Sequence, residues 1–298
     1  MNLLSRLWNH LADSVAIKTA DRLFFQTERS RLLSSALTCI EPGISEHTTV
    51  TSQLIVSLTT HTNRLHEAWL PIESIMQGSV RPNRILLWLD ERTKDQPLPV
   101  TLQRQQSRGL EIRYTEDLGP FTKLIPALRE FPDAIIVTID DDMLYPYDTL
   151  ELLVNSYLQH PDCISANRVV GIEKSEDGHL RPLASWKEIT DKSRISPLNF
   201  FEGVCGALYP SHCFNSEVFR QTVFSSICPT ADDIWFNCMA LLNHTSIVSA
   251  NAHYSTFPLW VNESVQDSAL WRLNHSGKVA ANDQQLLAVL SHYHLSYD

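Results

Sequence analysis

The run Ala134-Ile-Ile-Val-Thr-Ile-Asp-Asp-Asp-Met-Leu-Tyr-Pro146 constrains this chain more than any other stretch. Its apolar first half predicts a buried strand, and that strand stops at three consecutive carboxylates, Asp140, Asp141 and Asp142. Side chains alternate in direction along an extended chain, so Asp140 and Asp142 are expected on one side and Asp141 on the other. Two carboxylates on one side repel each other unless a cation lies between them. A hard divalent ion is the natural candidate, because it takes oxygen ligands and commonly combines one or two carboxylates with substrate phosphates. The bland alternative is an acidic surface turn capping a core strand.

The elements around this run alternate. From residue 53 the pattern predicts a strand over 53–60, a helix over 65–77, a strand over 84–89, a helix over 98–108, a strand over 110–114 and a helix over 123–130, followed by the strand that opens at Ala134. Strand and helix in regular alternation imply an α/β fold with a mostly parallel sheet and helices on both faces. Ligands of such sheets bind in the crevice at the carboxyl ends of the strands. Thr59, Thr60, Asp90, Asp117 and the acidic triplet all fall at or just beyond such ends. Further on, a helix is expected over 148–159, a short strand over 163–169, a mobile loop or lid over 171–199, a helix over 232–242, a strand over 245–249 and a helix over 283–291.

Ahead of this domain, Leu3, Leu4, Leu7, Trp8 and Leu11 fall on one face at helical spacing, and a second helix is expected over 24–37. A polar, turn-rich segment after Glu41 places a boundary near residue 50, giving an N-terminal helical appendage over 1–50 and a main α/β domain over 51–298. The appendage would pack on the main domain or on a second copy in a homodimer. Peripheral membrane contact is the alternative, though Arg6 and Lys18 set against Asp13 make only a weak basic face. Charges interrupt the apolar residues too often for a membrane span. A net charge of -10 with no basic block argues against nucleic acid as a partner. Six cysteines without a C-x-x-C pair suggest neither a zinc knuckle nor a disulfide framework, and fit a reducing cytoplasm.

Four further segments carry candidate chemistry. In Ser57-Leu-Thr-Thr-His-Thr-Asn-Arg64 a strand end runs into a polar loop whose hydroxyls could hold a nucleotide and whose Arg64 could hold a phosphate. Asp117-Leu-Gly-Pro-Phe-Thr-Lys123 sets a turn-forming glycine before a lysine that could reach a phosphate. The glycines of the segment from Asn199 to Pro210, Gly203 and Gly206, would let backbone approach a ligand closely. In Pro229-Thr-Ala-Asp-Asp-Ile-Trp-Phe236, Thr230 is suited to cap a helix and Asp233 sits at its capping-box distance. A carboxylate held at such a helix start could also accept a proton from an attacking hydroxyl. His253, after a short strand, could add an imidazole ligand to a metal.

Taken together, the segments from about residue 53 to residue 242 resemble a GT-A glycosyltransferase, closest to bacterial family 2-like enzymes that assemble capsule, lipopolysaccharide or other surface glycans. The resemblance rests on the opening Ser57 to Arg64 segment, an Asp-x-Asp motif at Asp140-Asp141-Asp142, the Gly203 to Gly206 stretch, and the Asp232-Asp233 pair ahead of an aromatic helix. It implies a Rossmann-like sheet and a nucleotide-sugar donor, usually a UDP-sugar, contacted by Thr59, Thr60, Arg64, Asp117, Lys123, Asp140, Asp141, Gly203 and Gly206. Mn²⁺ or Mg²⁺ would be held by Asp142 and Asp140, with His253 as a further candidate. Asp233 or its neighbour Asp232 would deprotonate a hydroxyl of a glycan or lipid-linked glycan acceptor, with inversion at the anomeric carbon. The resemblance places such an enzyme in the cytoplasm, with the inner face of the plasma membrane as an alternative. Two rivals stand beside it: a sugar-phosphate nucleotidyltransferase, and a catalytically silent glycan-binding or assembly subunit.

Overall fold

A computed structural model describes residues 3–47, 50–189, 191–251, 260–268 and 281–297. Its centre is a seven-stranded sheet. β1 (Leu54–Thr59), β2 (Arg84–Asp90), β3 (Leu110–Thr115) and β4 (Ile135–Thr138) form one parallel block, with β4 beside β1, β1 beside β2 and β2 beside β3. β5 (Met143–Leu144) lies outside that sheet, while β6 (Ile164–Ala166) belongs to it. β7 (Val169–Gly171), β8 (Lys187–Glu188) and β9 (Asn199–Phe201) make a separate three-stranded antiparallel sheet. β10 (Ala207–Tyr209) returns to the central sheet antiparallel to both β4 and β6, and β11 (Ile247–Ser249) closes the far edge parallel to β6. β12 (Trp260–Val261) pairs with β5.

The two-residue periodicity of the strands sorts their side chains between two cores. Ile55, Leu86 and Ile136 point to one face, and Val56, Leu87 and Val137 to the other. The first face is covered by α4 (Ile125–Glu130), α6 (Gln221–Ile227), α7 (Asp232–Leu242) and the helix Ala281–Tyr293, whose buried members include Phe224, Trp235, Phe236 and Val289. The second is covered by α1 (Leu3–Thr38), α2 (Trp69–Met76), α3 (Val100–Gln106) and α5 (Thr149–Gln159). Each fully buried Leu or Ile of these layers contributes about 1.5–3 kcal/mol of transfer free energy. The expected α/β architecture with helices on both faces is the observed one.

Three expectations need correction. The two N-terminal helices are one, α1, because residues 3–41 contain neither Pro nor Gly to break the pattern. Its second half is held on the domain: Phe25, Leu32 and Ala36 are buried in the second core, Arg29 bonds Glu67 just before α2, and Ser35 bonds Glu73 of α2. The segment 171–199, expected as a lid, supplies β8 and leads into β9, and Trp186 is buried against Phe200. Its charged residues mask a sheet too short to show periodicity. The strand expected over 163–169 is shorter, ending as β6 at Ala166, and Val169 already opens β7 of the other sheet. Among the described residues no helix is long and apolar enough to cross a membrane.

Candidate active site

The carboxyl ends of β1 and β4, the turn before β10 and the start of α7 converge on a cleft of about 830 Å³. Its walls include Thr60, Arg64, Lys123, Asp140 to Asp142, Arg168, Glu202, Asp232 and Asp233. β4 ends at Thr138, so the backbone leaves the extended conformation before the triplet and the expected alternation is not carried through it. Asp141 and Asp142 share one cation instead: Arg64 Nη1 lies 2.8 Å from Asp141 Oδ1 and 3.4 Å from Asp142 Oδ2. The Thr60 hydroxyl donates to Asp141 Oδ2 at 2.5 Å. Asp140 turns to Lys123, whose Nζ lies 2.8 Å away.

Lys123 also reaches across the cleft, with Asp232 Oδ2 at 2.9 Å. Burial opposes the lysine charge, yet Asp140, Asp232 and Asp233 outweigh it and keep the ammonium well above its ordinary pKa. Thus the buried cation is shared by the two acidic segments of the sequence. Asp233 lies on the other side of Gly203, whose N–H donates to Oδ2 at 2.9 Å. Its remaining oxygen, Oδ1, is buried with no hydrogen-bond partner among the described residues. Burial first, and Asp232 second, push the Asp233 carboxyl up to about 8. Burial likewise raises Asp232, against the pull of Lys123.

Gly203 and Gly206 differ from expectation. A Cβ at Gly203 would stand 2.7 Å from Asp233 Oδ1, so the missing side chain makes room for a carboxylate of the protein itself. Gly206 holds a φ of 93°, a left-handed turn into β10, and donates no such space. Thr230 does not cap α7; Ala231 occupies the N-cap position, without a side-chain hydrogen bond, and the Thr230 N–H bonds Gln285 Oε1 at 3.0 Å. The capping-box distance to Asp233 therefore has no hydrogen bond behind it, because Gly203 has taken the carboxylate.

Thr59 and Thr60 border both this cleft and an adjoining hollow of about 360 Å³ that runs past Asp90, Arg92 and Asp117. The Thr59 hydroxyl donates to Trp88 O at 3.0 Å. Asp117 accepts the Gly119 N–H at 2.8 Å and lines this hollow. His253 lies outside the described residues.

Several groups that line or brace the cleft had no signal in the sequence. Gln266 Nε2 donates to Asp142 Oδ2 at 2.8 Å, and Tyr145 Oη accepts the Asp140 N–H at 2.8 Å while donating to Val204 O at 3.1 Å. Arg168 and Glu202 form an ion pair on the wall beyond Gly203. Only proximity along the chain could have suggested Tyr145.

Burial and the charges of Asp140 and Asp141 raise the Asp142 carboxyl to about 6, against Gln266 and Arg64. At this turn three carboxylates, Asp140, Asp141 and Asp142, face two cations, Arg64 and Lys123. Its all-oxygen donor set suits Mg²⁺ or Mn²⁺. Among the described residues no three His, Cys, Asp or Glu side chains gather as a metal cage. An ion here fits the mode in which one or two carboxylates are completed by substrate phosphates.

No family model and no curated protein matches the chain. Among solved structures, its fold is similar to that of the mannosyltransferase PcManGT from Pyrobaculum calidifontis, in complex with GDP-Man and Mn²⁺, at 18% identity and TM-score 0.45 over 96% of this chain and 81% of that one. S. aureus TarS 1-349 in complex with UDP aligns at 16% identity and TM-score 0.43 over 82% and 72%. The UTP-bound UGPase from Acinetobacter baumannii aligns at 8% identity and TM-score 0.39 over 80% and 99%. Likenesses this distant describe an outline of the fold, and the functional reading rests on the residues of the cleft.

Proposed function

We propose that the chain is a metal-dependent glycosyltransferase of the GT-A type, moving a sugar from a nucleotide-sugar donor to a glycan acceptor. One observation carries the reading: an acidic turn at the end of β4 and an acid pair at the start of α7 face one cleft and share Lys123. In this reading the Thr59–Arg64 segment and the hollow along Asp90 and Asp117 receive the nucleotide. Asp142 and Asp140 would hold Mn²⁺ or Mg²⁺ beside the donor diphosphate. When bound, the metal offsets the charge that grows on the departing diphosphate.

Asp233 is the base. The acceptor hydroxyl attacks the anomeric carbon, the bond from that carbon to the diphosphate oxygen breaks with its electron pair, and the hydroxyl proton passes to Asp233. A carboxylate with a pKa raised by burial is well matched to that transfer near neutral pH. Gly203 fixes its orientation through the amide at 2.9 Å. Asp232, in contact with Lys123, keeps the buried cation in place. Attack from the face opposite the leaving group gives inversion. A place in surface polysaccharide synthesis, on the cytoplasmic side of a membrane, extends the same reading.

Isothermal titration of nucleotide-sugars, with and without Mn²⁺, tests it. Binding of at least one donor that strengthens with Mn²⁺ is expected, and the absence of binding by every donor in both conditions would overturn the proposal.

A further inference from the structure

The central sheet sets the cleft residues in a spatial order. Along its carboxyl edge come β3 and β2 with Asp117 and Asp90, β1 with Thr59 and Thr60, β4 with the acidic turn, the Gly203–Gly206 turn entering β10, and β6 followed by Arg168. Ala207 opposes both Thr138 of β4 and Ala166 of β6, so the turn that anchors Asp233 lies between the acidic triplet and Arg168. The nucleotide half and the Arg168 half are therefore on opposite sides of the acids that meet at Lys123.

Arg168 and Glu202 form an ion pair in this second half. Their side chains are 31% and 22% exposed, so both present polar atoms to the cleft. The Glu202 N–H donates to Arg168 O at 3.0 Å, which fixes the two backbones beside each other. Glu202 directly precedes Gly203, one residue from the amide that holds Asp233. On the wall made by the helix Ala281–Tyr293, Asn282 Oδ1 is buried without a hydrogen-bond partner among the described residues. Leu183 and Val204 add apolar surface.

We infer that Arg168 and Glu202 form the acceptor subsite and that it selects a neutral sugar with adjacent hydroxyls over an anionic acceptor. The inference rests on the transferase reading. A paired guanidinium and carboxylate offer N–H donors beside an oxygen acceptor, the pattern that two neighbouring hydroxyls satisfy. Each cation named at this end already faces a carboxylate: Arg168 faces Glu202, and Lys123 faces Asp140 and Asp232. Among the described residues, a phosphate or uronate arriving here would meet the carboxylate of Glu202, while Arg168 and Lys123 are already engaged by carboxylates. Like charges set against each other in this way reject a ligand. Apolar patches such as Leu183 suit the C–H faces of a sugar ring.

The test uses the full chain with Mn²⁺ and a donor identified by titration. Turnover is measured with neutral oligosaccharides, uronate-terminated oligosaccharides and a polyol phosphate, first in the wild type and then in Glu202→Gln. The wild type is expected to use neutral acceptors and to discriminate against anionic ones. Glu202→Gln removes the carboxylate that Arg168 faces, so KM for the neutral acceptor should rise about tenfold and anionic acceptors should gain, while donor affinity stays within about twofold. Wild-type preference for an anionic acceptor would overturn the inference and leave the transferase reading standing. An unchanged acceptor KM in a folded Glu202→Gln variant would overturn it as well, reducing the pair to a structural tie. If no donor binds the wild type, the transferase reading and the inference both fail.

Discussion

Lys123 Nζ stands 2.8 Å from Asp140 Oδ1 and 2.9 Å from Asp232 Oδ2, so one buried ammonium joins the acidic turn after β4 to the acid pair that opens α7. Replacing it by Met keeps much of the volume and removes the charge. The carboxylates around it would then be buried without a cation, a situation that costs about 3–5 kcal/mol when one partner of a buried pair is lost. We expect Lys123→Met to unfold at lower denaturant than the wild type, with a larger deficit at pH 8 than at pH 5, because the freed acids can escape the penalty only by taking up protons. Equal deficits at both pH values would contradict this account of Lys123.

Asp233 gives a second pH signature. Its pKa is raised to about 8 in the folded chain, above the ordinary carboxylate value of the unfolded one, so between those values the folded state holds the extra proton. The stabilisation from this group is therefore complete below the unfolded pKa and is lost as pH rises through about 8. Asp233→Asn cannot ionise and can still accept the Gly203 N–H. Thermal melts from pH 5 to 9 should show a shallower alkaline decline in the variant, with its Tm above that of the wild type at pH 9, while transfer is slowed by about 10²-fold or more by loss of the base.

Gly203→Ala probes the same carboxylate from the other side. The new Cβ would lie 2.7 Å from Asp233 Oδ1, a distance that forces the base to move. Steady-state kinetics should show kcat down about 10²-fold with donor affinity unchanged, since small misplacements near reacting groups have effects of that size. A variant with wild-type kcat would remove Asp233 from the chemistry.

Far from the cleft, Glu73 is fully buried and accepts from Arg108 at 2.7 and 2.9 Å, from Gln105 at 3.0 Å, from Gln77 at 2.8 Å and from Ser35 of α1 at 2.9 Å. It ties α1, α2 and α3 together. Glu73→Ala strands the Arg108 charge and should destabilise the fold by about 3–5 kcal/mol, read by urea denaturation, without changing donor affinity in the folded fraction.

The parts of this site that were legible in the sequence are those whose signal is local. β1, β2, β3 and β4 announce themselves because apolar residues fill both faces of a buried parallel strand, and the abrupt stop at Asp140 marks a crevice by the chemistry of stacked carboxylates. Asp232 and Asp233 are visible as acids at a helix start. Pairings between distant segments are not. Lys123 and Arg64, expected to meet phosphate, pair with the protein's own carboxylates, and nothing local in the sequence shows that pairing. β9 and β10 have three residues each, too few for alternation to register, and the glycines between them read as ligand contacts when Gly203 in fact accommodates Asp233. Arg168 and Glu202 come together only because β7 pairs with β9.

The central claim is tested most directly by incubating the wild type and Asp142→Asn with a panel of nucleotide-sugars and candidate glycan acceptors, with Mn²⁺ or with EDTA, and identifying products by mass spectrometry. A nucleoside diphosphate and an acceptor heavier by one sugar residue should form with the wild type in Mn²⁺, and should be lost in EDTA and in Asp142→Asn. If the chain instead releases pyrophosphate from a nucleoside triphosphate and a sugar phosphate, or forms no product from any donor, it is not the transferase described by this cleft.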